Sequence, residues 1–282
     1  MSEDLLSDDA PPAAAVSVPC LAQRGGEAFA SFRTVPEETA IAFTVNGATH
    51  AVMMATPADL EDFAIGFALT EGLIEAPSDI VSLDIVAMPL GVEARLWLRE
   101  DRAKAYSARR RSMAGPTGCG LCGIESLEEA MRPAPVVTSA RRFDKASIVE
   151  AMASLSAGQR LHRETHAVHA AGFWAPSKGL VALREDVGRH NGLDKLAGAL
   201  IAGGVSAAQG LVVLTSRVSV ELIQKAARLG APVVVAISAP TAAGVRLAEA
   251  CGITLIAVAR QHDFEVFTHL ERIIDRAAHH VA

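Results

Sequence analysis

Cys119 and Cys122 are separated by two residues within GPTGCGLCG, residues 115–123. Glycine on both sides of Cys119 frees the backbone and leaves no large neighbour over its sulfur. Arg109, Arg110 and Arg111 lie just upstream, and the following IESLEEA reads as a short helix with Cys122 near its N-terminus. Nearby cations and a helix N-terminus both favour thiolate, the reactive form of cysteine. Three chemistries fit such a pair: metal ligation, dithiol–disulfide exchange, and transient carriage of a sulfur atom. A zinc site would need two more ligands, yet no second CxxC or closely spaced histidine pair supplies them. An exchange site of the thioredoxin kind would place the pair directly after a buried strand. Here YSARRRSMAGPTG precedes it.

A second set of candidates lies in the C-terminal half. Ser238-Ala-Pro240-Thr241 follows an apolar run and opens a helix, with Ser238 or Thr241 as cap and Pro240 in the first turn. The free N–H groups of such a start suit an anion. Arg217 and Ser219 occupy the preceding strand–helix junction and Arg260 ends the next strand, so adjacent loops would face one anionic ligand. REDVGRHNGLDK, residues 184–195, is too dense in polar groups for an ordinary solvated face and points to binding. Glu221 and Lys225 have the spacing of a structural i,i+4 helix pair. His166 and His169, read as one strand, would point to opposite faces and could not share a metal. Cys20 and Cys251 are isolated and read as inert.

The elements that must position these residues fall into two groups. Residues 1–25 are rich in Ala, Pro and Asp without periodicity and read as a disordered tail. Residues 26–113 form a small α+β domain. It contains a hairpin about Asn46-Gly47, a helix capped by Thr56 with Pro57 in its first turn and ending near Gly72, and two strands in DIVSLDIVAM and VEARLWLR. Residues 114–135 are a mobile Gly/Cys loop and linker. Residues 136–282 form a second domain, in which short apolar strands (HAVHAAGFW, GLVALRED, GLVVLTS, PVVVAIS, ITLIAVA) alternate with helices through 193–201, 220–229 and 242–250. That alternation indicates an α/β fold with a partly parallel sheet covered on both faces, whose ligands gather at the carboxyl ends of the strands.

Composition narrows the function. The formal charge of −6 over 282 residues argues against general nucleic-acid binding. Four cysteines, one close pair and two isolated from each other and from it, are no disulfide framework, and the acidic start MSEDLLSDDA is the reverse of a secretory signal. No apolar run approaches the roughly 20 residues of a membrane span. A soluble cytoplasmic protein is expected.

The ordered set TGCGLCG, THAVHAAGF, REDVGRHNGLDK, TSRVSVELIQKA, ISAPT and the strand into Arg260 resembles the FdhD family of sulfur carrier proteins required for formate dehydrogenase activity. The similarity runs from about residue 25 to 270. It implies a sulfurtransferase that accepts sulfur from a cysteine desulfurase as a persulfide on Cys119, with Cys122 as its partner. The acceptor would be the molybdenum bis(molybdopterin guanine dinucleotide) cofactor, bound as client before it enters the formate dehydrogenase catalytic subunit. The cofactor-binding stretch falls on Val258, Ala259, Arg260, Gln261, His262 and Asp263; Arg260 matches the family pattern, while Val258, Glu265 and Phe267 depart from it. The resemblance also implies that the second domain is a cytidine-deaminase-like three-layer α/β/α sandwich. The deaminase glutamate and zinc thiolates are missing from His169-Ala170-Ala171 and Ser238-Ala239-Pro240-Thr241, so neither deamination nor a structural metal is expected. A homodimer, with GDP as a ligand, completes the expectation; the rival readings are a cofactor chaperone and a dithiol redox switch.

Overall fold

The computed structural model describes residues 10–112 and 133–275. Cys119, Cys122 and the helix expected after them lie outside these residues.

The chain opens with a hairpin, β1 (Ala15–Arg24) and β2 (Glu27–Pro36), joined by Gly25-Gly26, both at positive φ. The tail expected to lack structure is thus ordered from Ala15 onward, and the Gly-Gly turn is its sequence signal. A second hairpin, β3 (Thr39–Val45) and β4 (Ala48–Ala55), turns at Asn46 and Gly47 as expected. With β5 (Ile80–Met88) and β6 (Gly91–Leu98) it forms a four-stranded sheet of order β4-β3-β6-β5, in which only β3 and β6 run parallel. Ile41, Phe43, Val45, Val92, Ala94 and Leu96 fill one face, against Phe63 and Phe67 of α1 (Leu60–Thr70). Phe43 stacks on Phe67 and meets Phe63 edge-on. A further helix, α2 (Glu100–Ser112), leads toward the cysteine segment.

The second sheet has six strands in the order β13-β12-β11-β10-β8-β9. They are β8 (His169–Ala175), β9 (Gly179–Asp186), β10 (Leu211–Leu214), β11 (Val233–Ala236), β12 (Thr254–Arg260) and β13 (Asp263–Val266). Strands β10, β11 and β12 are mutually parallel and the others antiparallel, the mixed arrangement the sequence implied. Alternation sends Val212, Leu214, Val234 and Ala236 to one face, against α5 (Arg189–Ala202), α6 (Val220–Leu229) and α7 (Ala242–Ala250). Leu211, Val213, Val233 and Val235 point the other way, onto Ile148, Met152 and Leu155 of α3 (Lys145–Gly158). Each fully buried Val or Leu there contributes roughly 1.5–3 kcal/mol of transfer free energy. A short parallel pair, β7 (Phe143–Asp144) with β14 (Ile273–Ile274), flanks α3, and α4 (Arg160–Thr165) follows it. The molecule is therefore mixed α/β, with helices on both faces of the larger sheet.

The two sheets meet through α1 and α5. Gly66 and Gly198 sit at the crossing, where a Cβ would run into the carbonyl oxygens of Asp194 and Asp62 respectively. Lys195, fully buried, bonds Asp186 Oδ2 at 2.6 Å and the Thr56 carbonyl at 2.8 Å. Asp186 also accepts from the backbone N–H of Thr56 and Gly188 and from Asn191 Nδ2. Thr56 is thus no helix cap: α1 starts at Leu60 after Asp59, and the Thr56 hydroxyl accepts from Val187 N–H. Asp194, the chain neighbour of Lys195, holds Lys225 through both oxygens at 2.9 Å and accepts from Thr70 Oγ1 at 2.6 Å. Burial works against the Lys225 ammonium, but Asp194 and Glu71 outweigh it and hold its pKa above the usual lysine value. Lys225 therefore reaches across the seam and leaves Glu221 to another partner, so the two are not the i,i+4 pair their spacing suggested.

Candidate functional site

Three strand ends converge at one edge of the larger sheet. After β10 come Thr215, Ser216 and Arg217; after β11, Ser238 to Thr241; at the end of β12, Val258 to Arg260. Backbone hydrogen bonds tie them together: Thr241 N–H to the Val218 carbonyl at 2.9 Å, Val218 N–H to that of Ala239 at 3.4 Å, and Val258 N–H to that of Ser238 at 3.2 Å. The strand-end residues that the sequence nominated as binding thus lie on one contiguous edge, while Cys119 and Cys122 fall outside the described residues.

The local geometry follows from the sequence. Thr241 caps α7, its hydroxyl accepting from Gly244 N–H at 3.1 Å, and Pro240 precedes the cap instead of entering the first turn. Ser219, the N-cap of α6, makes no side-chain cap bond, so its first-turn N–H groups lack that partner. Val258 is β-branched and yet adopts φ 52, in the left-handed region such residues rarely enter. Next to it the β12–β13 register shifts between Ala257 and Arg260. A bulge of this kind re-aims the side chains beside it. Arg260 pairs in register with Asp263 across the two-residue turn Gln261-His262, where Gln261 also has positive φ. Both Arg217 and Arg260 are exposed, and their guanidinium groups make no hydrogen bond or ion pair with any described residue; only the Arg217 carbonyl is used, accepting from Ser216 Oγ. Two guanidinium groups without partners among the described residues, beside a capped helix start and a helix start without a side-chain cap, make an edge suited to an anion.

REDVGRHNGLDK divides in two. Most of it is internal: Arg184 pairs with Asp62 at 2.5 Å, Glu185 accepts from the N–H groups of Leu161 and His162, and Asp186, Asn191, Asp194 and Lys195 build the seam. For those residues the expected binding role gives way to an architectural one, since their partners are already in place. Arg189 and His190 are different, because they sit on the first turn of α5 beside the same edge. His190 Nε2 lies 2.8 Å from Glu221 Oε2, and that contact holds the Glu221 carboxyl below the usual range against the effect of burial. His169 starts β8, whereas His166 ends α4 in the left-handed region, so they do not share a strand. Burial, with Arg189 and His162 nearby, pushes the His169 pKa down. The sequence named Arg189 within a polar stretch read as binding and assigned no role to His169 beyond a structural one for it or His166; what it could not give was the nearness of His169 to Arg189, which comes from residues on β8 and α5 meeting in the fold.

Cys251 is buried, which raises its thiol pKa and fits an inert role, while Cys20 is exposed on β1. An open cavity of about 650 Å³, lined by Arg141, Phe143, Ser147 and Trp174 among others, contains none of the nominated residues. It lies toward the opposite end of the sheet, where Trp174 pairs with Leu211 at the start of β10. No described helix is long and apolar enough to cross a membrane.

Comparison with known proteins gives this edge a context. The model of the FdhD/NarQ family matches residues 36–274. The sulfur carrier protein FdhD of Agrobacterium fabrum is 53% identical over 254 residues, covering 90% of this chain and 94% of the relative. That of Brucella abortus is 53% identical over 246 residues, covering 87% and 91%. That of Xanthomonas campestris pv. campestris is 47% identical over 251 residues, covering 89% of each chain. Among solved structures, one described as a formate dehydrogenase accessory protein from Desulfotalea psychrophila superposes with a TM-score of 0.74 at 26% identity, over 92% of this chain and 99% of that one. Matched along nearly its whole described length, in sequence and in fold, the chain belongs to the FdhD/NarQ family.

Proposed function

We propose that this protein is a sulfur carrier serving formate dehydrogenase, in which Cys119 holds the sulfur and the strand-end edge holds the acceptor. The names of its relatives support the coarse reading. The observation that carries the finer one is the convergence of Arg217, Ser238, Thr241 and Val258–Asp263 at a single sheet edge, with two guanidiniums that have no partner among the described residues. In the first step the Cys119 thiolate attacks the outer sulfur of a desulfurase persulfide. A new S–S bond forms on Cys119, the old one breaks, and the desulfurase cysteine leaves as thiolate. Cys122, at an expected helix start, is the weaker nucleophile and acts as relay or partner.

The molybdenum bis(molybdopterin guanine dinucleotide) cofactor is the client that receives the sulfur. Arg217 and Arg260 fit its pyrophosphates, the start of α7 fits an oxyanion, and Val258 to Asp263 frame the guanine end. A homodimer accords with the β1–β2 hairpin. Two strands alone are marginal in water, and Leu21 and Phe32 are 75% and 72% exposed on it. Incubation with a cysteine desulfurase and free cysteine, followed by mass spectrometry of the peptide containing Cys119, tests the carrier role. A pure chaperone acquires no sulfur there and keeps supporting formate dehydrogenase in Cys119→Ala. A dithiol switch shows an intramolecular disulfide instead and loses function equally with either cysteine removed.

A further inference from the structure

Beside the strand-end edge lies a cluster of one arginine and three histidines that neither the seam nor the proposed cofactor contacts use. Arg189 and His190 open α5, His162 is in α4, and His169 starts β8. His169 pairs with Asp186 across the sheet, and Ala170, next to it, donates its N–H to Thr215 Oγ1 at 2.9 Å. The cluster is therefore continuous with the β10 strand end. His190 is committed to Glu221, and Asp186 to Lys195. In this cluster two buried nitrogens are without partners among the described residues: Arg189 Nε, a donor, and His162 Nδ1, a donor or an acceptor according to tautomer. A buried donor is costly to leave without an acceptor, so Arg189 Nε is satisfied only when an acceptor arrives. Gly188, the N-cap of α5, has no side chain to cap its helix, which adds free N–H groups on the same side.

We infer that Arg189, His162 and His169 form a second oxyanion subsite, of the phosphate class, that takes up a proton at His169 when it fills. The groups facing His169 are Arg189 and His190 from α5, His162 from α4 and Asp186 from β9; burial first and Arg189 next disfavour its charged form, and Asp186 favours it. An incoming dianion reverses that balance, and the imidazole takes its proton from solvent. Lone inorganic phosphate and the phosphates of a nucleotide offer the same chemistry. The nucleotide case rests on the strand-end reading above; the inorganic one does not.

Calorimetry of the full chain at about pH 7, in two buffers of different ionisation enthalpy, counts the protons taken up. The probes are inorganic phosphate, pyrophosphate, GDP and guanosine. We expect pyrophosphate and GDP to bind with proton uptake and guanosine without it. Affinity for pyrophosphate should fall about tenfold or more in Arg189→Gln, and the uptake should vanish in His169→Gln. Phosphate binding as tightly as GDP makes the free anion the occupant, and GDP binding far more tightly makes it the nucleotide; either supports the subsite. If the wild type binds neither phosphate nor pyrophosphate, or binds them without proton uptake, the subsite is refuted. That result needs no variant and stands even if one fails to fold. GDP and pyrophosphate affinities that are both unchanged in Arg189→Gln, with GDP affinity falling in Arg260→Ala, also refute it, while leaving the strand-end reading intact. Dependence of pyrophosphate on Arg189 without any GDP binding does the reverse.

Discussion

At the α1–α5 seam, Lys195 and Asp194 are fully buried, with partners at 2.6–2.9 Å. At the strand-end edge, Arg217 and Arg260 are exposed, and their guanidinium groups have no partner among the described residues. Both regions are crowded with charge, and a single stretch, residues 184–195, supplies groups to each. The difference is satisfaction. Where every charge already has a counter-charge and hydrogen bonds in place, it orders the fold and has nothing left to offer a ligand. Where cations are left open beside helix N-termini, the site is incomplete without an anion.

Breaking the seam should give the largest effect. Lys195→Met leaves Asp186 buried beside an apolar side chain, and should cost about 3–5 kcal/mol in urea unfolding. A loss below about 1 kcal/mol would show that the pair does not hold the two sheets together. Gly198→Ala should cost about 1–3 kcal/mol or more by the same measurement, because the new methyl meets the Asp62 carbonyl and forces α1 and α5 apart. At the open edge the pattern inverts. Arg260→Ala should weaken GDP binding by roughly 1.5–3 kcal/mol, yet alter folding stability by no more than about 0.5 kcal/mol. A variant that unfolds while keeping its affinity would erase the distinction between the regions.

The smallest expected effect is pH-linked. His169 has a folded pKa below the ordinary value of 6.5, so the unfolded chain binds the extra proton first. Its contribution is complete above that value and is lost as pH falls through the folded pKa. Denaturation midpoints followed from about pH 7.5 to pH 5 should therefore decline less steeply in His169→Gln than in the wild type. Equal slopes would mean that the surroundings do not oppose its charge.

Much of the architecture was legible because local signals were unambiguous. Helices α6 and α7 start and stop where the sequence placed them, at Val220–Leu229 and Ala242–Ala250, between short apolar runs that could only be buried strands. Asn46-Gly47 fixed the β3–β4 turn. The strand-end set was found because polar residues after buried strands have few structural reasons to be there. What went unread depended on partners far away in sequence. Thr56 looks like a cap until Asp186 and Lys195 arrive from the other half of the chain. Lys225 looks like a surface partner for Glu221 until α5 brings Asp194 beneath it. Helix α3 was missed because its buried Ile148, Met152 and Leu155 are interleaved with alanines and serines that blur the stripe. The β1 strand was hidden in a segment with tail-like composition, and its register became apparent only with β2 alongside.

The central claim is that sulfur travels on Cys119. The direct measurement is the mass of the Cys119 peptide after the protein has been incubated with a cysteine desulfurase and free cysteine, without reductant. One added sulfur atom on Cys119, removed by subsequent thiol treatment and absent in Cys119→Ala, is the result expected. An unmodified Cys119 under conditions where the desulfurase is itself persulfidated, with Cys119→Ala still supporting formate dehydrogenase in cells, would contradict it.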